Sequence, residues 1–149
     1  MANCLIKNDI QDFQILCVDT FLGSNPSLWI EQYSLGITQN FDQQYKQFCS
    51  NITSRNLNSF ISVLPMTSSS ASELCQILGV KADLIYIDAG HREREVYADL
   101  EDWWPLTNKV LIGDDYSPTW SGVKTACDRF VHEKELNFQE KDFKFILRR

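Results

Sequence analysis

Two short apolar segments that both end in acidic residues constrain the fold of this chain more than any other feature. Residues 83–88 end in one aspartate, residues 109–115 contain two more, and a helix-length segment, residues 92–104, lies between them. Strand, helix and strand form a parallel crossover unit, in which both strands end at the same edge of the sheet. We therefore expect three carboxylates at one edge, where they repel each other unless a cation, a proton or a hydrogen-bond donor holds them together.

The rest of the chain continues this alternation of strands and helices. Further strands are predicted at 13–18, 59–64, 136–139 and 143–147, and helices at 40–51, 71–78, 93–103 and 123–132, with a short helix or lid at 28–33. The expected fold class is α/β, with a doubly wound, mostly parallel sheet and a C-terminal antiparallel strand pair. The length predicts a single domain over residues 1–149.

The residues at the acidic strand ends suit two kinds of chemistry. Carboxylates such as Asp88, Asp114 and Asp115 provide the oxygen ligands that hard divalent cations prefer. His91 follows the first strand end and is the best candidate for a general base, since an imidazole titrates near neutral pH. A structural interpretation stays open for each: one aspartate caps a helix, another is solvated, and His91 is a hydrogen-bonded loop residue.

Composition and charge narrow the possible partners. A net charge of −6 disfavours binding to nucleic acid, whose phosphates favour a basic surface. No apolar run approaches the roughly 20 residues of a membrane span, and the N-terminus lacks the pattern of a signal peptide. The five cysteines show no C-x-x-C spacing, which is typical of reduced thiols. We therefore expect a cytoplasmic protein without nucleic-acid or membrane partners.

Several motifs occur in an order that is found in a known family. Residues 83–91 read DLIYIDAGH, an acidic helix with paired tryptophans follows at 99–104, and GDDY stands at 113–116. A W-x-G-V-x-x-A pattern then covers 120–126. The chain thus resembles the class I S-adenosylmethionine-dependent methyltransferases. Its closest likeness is to the metal-dependent macrocin O-methyltransferase and cephalosporin-hydroxylase-like branch. Residues 18–24 look like the second strand of that family and the turn after it.

The resemblance implies a function and a set of site residues. It implies an S-adenosylmethionine-dependent O-methyltransferase, assisted by Mg²⁺ or a similar divalent cation, that acts on a small-molecule or sugar hydroxyl. The metal would hold that hydroxyl, lower its pKa and orient it toward the methyl group. The metal ligands would be Asp88, Asp114 and Asp115, and the catalytic residues His91 and Asp88. The cofactor-binding residues would be Asp19, Thr20, Met66, Ser68 and Ser69, and the substrate pocket would include Tyr116 and Trp120.

The Gly-rich turn that follows the first strand of this family has no counterpart in the chain. All six glycines are isolated, so we expect an N-terminally truncated, Rossmann-like methyltransferase fold with weak or absent cofactor binding. In the family, the missing strand lies between the strands that here end at Asp19 and Asp88. Its absence leaves unpaired backbone groups unless the strands close up or another segment fills the gap. We therefore predict a homodimer, the commonest symmetric assembly.

Two other functions stay open, and with them the question of whether the chain is an active enzyme. One is a non-catalytic methyltransferase-fold remnant that has lost cofactor binding. The other is a metal-dependent, phosphoryl-handling α/β domain of the response-regulator kind. That fold needs an acid pair after its first strand and a lysine after a late strand, and Lys124 is the only weak candidate for the lysine.

Overall fold

The protein is described by a computed structural model over residues 1–22 and 41–149, which form alternating helices and strands. The described α-helices are α1 (Ala2–Lys7), α2 (Phe41–Ser54), α3 (Ser68–Ile77), α4 (Glu93–Trp103) and α5 (Ser121–Glu133). The described strands are β1 (Ile15–Val18), β2 (Ile61–Leu64), β3 (Ala82–Ile87), β4 (Thr107–Gly113), β5 (Phe138–Lys141) and β6 (Lys144–Arg148). Short 3₁₀ turns at Trp104–Leu106 and Pro118–Trp120 follow α4 and precede α5.

These elements form two compact units, residues 1–67 and 68–149. In the first unit, β1 and β2 form a two-stranded parallel sheet in which Val18 lies opposite Leu64. Its small core contains Ala2, Ile52 and Leu57. The carboxyl ends of β1 and β2 therefore lead directly to residues 19 and 65–66.

The second unit holds a four-stranded sheet with the order β3-β4-β6-β5. β3 and β4 are parallel, with Ile87 opposite Gly113, and β6 runs antiparallel to β4, with Phe145 opposite Gly113. Helices α4 and α5 pack beside the core, in which Leu100, Leu111 and Phe130 are fully buried. This register brings the residues after β3, the residues after β4 and the start of β6 to one edge of the sheet.

The α/β class and the antiparallel C-terminal pair are confirmed, and hydrogen bonding divides the described strands between two sheets. The short helix or lid predicted at 28–33 lies outside the described residues. No helix in the described ranges is long and apolar enough to cross a membrane. All five cysteines are free thiols. The single domain over 1–149 and the homodimer stay predictions.

Candidate functional site

The acidic ends of β3 and β4 line a cleft at the edge of the second unit. Asp88, His91, Asp114 and Asp115 all contribute to its lining, and the ring of Phe145 also reaches it. The backbone N–H of Asp114 donates to the carbonyl of Ile87 at 2.9 Å, which ties the two strand ends together. The parallel register thus brings the acidic side chains together as the sequence predicts.

His91 is held by contacts on two sides. Its Nε2 lies 2.8 Å from Oδ2 of Asp115, and its ring stacks on Trp120 with centroids 4.0 Å apart and planes 22° from parallel. When the imidazole is neutral, this hydrogen bond requires the proton on Nε2 and leaves the lone pair on Nδ1. An imidazole whose tautomer is fixed by a carboxylate in this way can serve as a general base.

The backbone around this pair is shaped by two unusual positions. Asp115 has φ +59°, a left-handed conformation that Asp tolerates better than most residues. This turn directs the Asp115 carboxylate to His91, while the next N–H, of Tyr116, donates to the carbonyl of Phe143 at 2.7 Å. At Gly122, near the start of α5, the backbone passes so close to His91 that a Cβ would lie 2.3 Å from the His91 carbonyl oxygen.

Asp114 is occupied by hydrogen-bond donors. Its Oδ2 accepts from the Tyr86 hydroxyl, and its Oδ1 accepts from Lys144 Nζ at 3.0 Å and from the Asp115 N–H at 2.9 Å. The hydrogen bond from Tyr86, followed by that from Lys144, holds the pKa of Asp114 below its usual range against the opposing effect of burial. Asp114 is therefore an ionised group whose charge is already compensated within the chain.

The predicted divalent-metal site is not assembled. Asp88, Asp114 and Asp115 reach the same edge, but within residues 1–22 and 41–149 no group of three His, Cys, Asp or Glu side chains is placed to hold a metal ion. The reason lies in the contacts just described, because Asp114 is bound to Lys144 and Asp115 faces His91. As arranged, these residues do not fit a metal centre.

The cofactor candidates of the first unit stand at the carboxyl ends of β1 and β2. Asp19 is exposed, and its Oδ1 accepts the N–H of Phe21 at 2.7 Å, while Oγ1 of Thr20 accepts the N–H of Leu22 at 3.3 Å. Both hydrogen bonds are typical of side chains that stabilise a turn. Met66 is half-buried, and its N–H donates to the carbonyl of Leu64. Contact of these residues with a cofactor stays a prediction.

The cofactor candidates of the second unit are the serines at the start of α3. Ser68 accepts a hydrogen bond from the Trp103 indole at 2.8 Å and is hydrogen-bonded to Asp99. Asp99 is only 8% exposed, and this burial raises its pKa. The Ser68 hydroxyl therefore links α3 to α4, whereas Ser69 is exposed. Asp99 and Trp103 both belong to the acidic, tryptophan-containing helix of the sequence motif. Nothing in that motif indicated that they would contact Ser68.

Tyr116 and Trp120, the predicted pocket residues, lie in different environments. Tyr116 is 4% exposed within the core, so its position does not favour contact with a substrate. Its hydroxyl donates to Asp128 at 2.5 Å and accepts from Lys124 at 3.0 Å. Trp120 is exposed and stacks on His91. The bonds of Lys124 to Tyr116 and Asp128 also weigh against its role as a phosphoryl-site lysine.

The chain matches one family model in sequence and resembles several solved structures. The family model described as a methyltransferase domain matches residues 1–116. The structure is similar to that of the O-methyltransferase NovP, with 14% identity and a TM-score of 0.63 over 97% of this chain and 63% of NovP. It is similar to CalS11, a TDP-rhamnose 3'-O-methyltransferase in calicheamicin biosynthesis, with 17% identity and a TM-score of 0.56 over 91% of this chain and 58% of CalS11.

A third similar structure is the O-methyltransferase from Bacillus cereus in complex with SAH, with 17% identity and a TM-score of 0.57 over 89% of this chain and 72% of that protein. No curated protein sequence matches the chain significantly. At these identities the structural likeness shows the fold. The chain spans 63% of NovP and 58% of CalS11. The predicted resemblance to the methyltransferase fold is confirmed, while the metal-dependent branch stays a prediction.

Proposed function

We propose that this chain, which belongs to the methyltransferase-domain family, transfers a methyl group from S-adenosylmethionine to a hydroxyl group of a small molecule or sugar. The observation that carries the proposal is the pair of His91 and Asp115 at the carboxyl edge of β3 and β4, with 2.8 Å between Nε2 and Oδ2. A hydroxyl oxygen becomes a good nucleophile only when its proton is removed as it attacks. An imidazole with a fixed tautomer in an open cleft can remove it.

The residues of the chain have separate roles in this proposal. S-adenosylmethionine, when bound, supplies an electrophilic methyl group on a sulfonium. His91 Nδ1 accepts the hydroxyl proton, and the Asp115 carboxylate stabilises the imidazolium that forms. Trp120 fixes the plane of the imidazole by stacking. Asp88 is exposed in the same cleft, where its carboxylate can accept a hydrogen bond from a second hydroxyl of a sugar-like acceptor.

The acceptor class is supported by the neighbours. NovP is an O-methyltransferase, and CalS11 acts on TDP-rhamnose at the 3'-oxygen. Among the described residues, the lining of the cleft includes three aspartates and no lysine or arginine, so a neutral hydroxyl-bearing group suits the cleft itself better than a phosphate group does. Metal assistance, which the family resemblance implies, has the least support from the contacts, and no step of this mechanism requires it.

The proposal is tested by binding and then by turnover. Calorimetry of the purified chain with S-adenosylmethionine and S-adenosylhomocysteine measures cofactor binding. Methyl transfer to a panel of phenolic and sugar hydroxyl acceptors measures the reaction. Replacing His91 with Gln, which cannot accept the proton, should lower turnover by about 10²–10⁴-fold with cofactor binding retained.

His132 offers a matched control, because it is exposed on α5 away from the acidic edge. His132→Gln should keep full activity. A His91→Gln variant as active as the wild type would contradict the assignment. A folded chain that binds neither compound would favour a second function, a non-catalytic methyltransferase fold.

A further inference from the structure

We propose that the Lys144 ammonium group supplies, from within the chain, the positive charge that the acidic strand ends require, and that it thereby takes the place of a divalent cation. This role of Lys144 belongs to the folded chain alone and does not rest on the proposed function. The acidic motif implies metal ligands, whereas Asp114 and Asp115 make hydrogen bonds within the chain.

The sheet register delivers Lys144 to the acids. β6 begins at Lys144 and runs antiparallel to β4, with Phe145 opposite Gly113. Lys144 therefore starts its strand beside the point where β4 ends and Asp114 begins. Its Nζ lies 3.0 Å from Oδ1 of Asp114, and the two side chains are 36% and 24% exposed. A pair that is partly withdrawn from water interacts more strongly than an exposed one.

The Asp114 carboxylate is already engaged within the chain. Both oxygens of Asp114 accept hydrogen bonds, from Tyr86 on one side and from Lys144 and a backbone N–H on the other. Oδ2 of Asp115 is 2.8 Å from His91. A magnesium ion needs oxygen ligands at about 2.1 Å in near-octahedral geometry. To bind Asp114, it would have to approach a carboxylate whose oxygens already accept three hydrogen bonds, one of them from a charged ammonium group.

Lys144 and a divalent cation exclude each other at Asp114. A metal ion bound to this carboxylate would stand within a few ångströms of the ammonium group, and like charges at that distance repel. The nearby phenol adds to this arrangement. The Tyr86 hydroxyl donates to Oδ2 of Asp114 from the neighbouring strand β3. Lys144 and Tyr86 therefore satisfy Asp114 as internal donors.

The test is thermal unfolding of the full chain in EDTA and in increasing MgCl₂ or MnCl₂ at constant ionic strength. The wild type should show no saturable rise in melting temperature. Lys144→Met should melt lower in EDTA and should become metal-responsive, with a rise of about 3–6 °C at ten times the dissociation constant. Adding Asp114→Asn to Lys144→Met should abolish that response.

Lys109 provides the matched control. Its Nζ lies 2.7 Å from Oδ2 of Asp83 in an exposed ion pair near the amino ends of β3 and β4. Lys109→Met should stay unresponsive to metal, and Lys144→Arg, which keeps the charge, should behave like the wild type. A saturable metal response of the wild type, or none in a folded Lys144→Met variant, would overturn the proposal.

A second measurement covers the case in which Lys144→Met does not fold. Electron paramagnetic resonance of the wild-type chain with added Mn²⁺ distinguishes free from bound ion. The spectrum should stay that of free Mn²⁺, because Lys144 and Tyr86 already occupy Asp114. Stoichiometric binding of Mn²⁺ by the wild type would overturn the proposal.

Discussion

Replacing Gly122 with alanine tests whether close backbone packing holds His91 in place. A Cβ at this position would lie 2.3 Å from the His91 carbonyl oxygen, 2.8 Å from the Glu93 nitrogen and 3.2 Å from the Arg92 carbonyl carbon, where ordinary contacts begin at 3.4 Å. All three neighbours are backbone atoms, so no side-chain rotation relieves the overlap. The start of α5 and the loop that carries His91 would have to separate by about 1 Å.

The magnitude follows from two opposing effects. Overpacking against a rigid neighbour costs about 1–3 kcal/mol, and the absence of an escape route places this case near the upper end. Alanine is favoured over glycine in a helix by about 1 kcal/mol, which offsets part of the loss. We expect the free energy of unfolding to fall by about 2 kcal/mol, or about 30-fold in the folding equilibrium.

Denaturant unfolding measures the loss, and NMR reports its cause. The chain has two histidines, so the His91 ring protons can be assigned with a His132→Gln variant. Stacking on the Trp120 ring alters the chemical shifts of the His91 ring protons. Gly122→Ala should move these chemical shifts toward those of an unstacked histidine. Ser121→Ala, at the neighbouring exposed position, is the control and should change neither quantity. A Gly122→Ala variant as stable as the wild type would show that helix propensity outweighs the packing.

Two further changes test buried contacts. Burial raises the pKa of Asp99, so the folded state holds this proton more tightly than the unfolded chain, and stability is lost as pH rises from the usual Asp pKa through the raised one. The stability of Asp99→Asn relative to the wild type should therefore increase in denaturant unfolding as the pH rises above the usual Asp pKa of about 4, and a constant difference would contradict this. Gly113→Ala should cost about 1–3 kcal/mol, because the new Cβ would lie 2.0 Å from the Phe145 ring. Phe145→Leu should reduce that cost, so strict additivity in a double-mutant cycle would refute the contact.

The acidic edge could be predicted from the sequence because its cause is local. The apolar runs of β3 and β4 and the helical segment between them are contiguous in the chain, and a parallel crossover brings both carboxyl ends together. The position of His91 follows from the same unit, since it stands three residues after Asp88. Prediction therefore succeeded where one supersecondary unit determines the geometry.

The environment of Tyr116 could not be predicted in the same way. The family resemblance implied that it is a pocket residue. The left-handed backbone at Asp115 turns the chain, the Tyr116 N–H bonds to Phe143, and the ring packs against Phe138 and Phe145. Each of these partners comes from the C-terminal hairpin. A sequence pattern that ends at Tyr116 contains no information about that hairpin.

The group that balances the negative charge of the acidic strand ends could not be predicted from the sequence either. Clustered carboxylates require a cation, a proton or hydrogen-bond donors, and a sequence supports all three solutions equally. The choice depends on which donors the fold brings to Asp114. Tyr86 lies 28 residues before it and Lys144 lies 30 residues after it, on strands that flank β4 on opposite sides. Both reach Asp114 only through the pairing of β4 with β3 and with β6. A shift of the β6 register by one residue would turn Lys144 to the other face and leave Asp114 open to a metal ion.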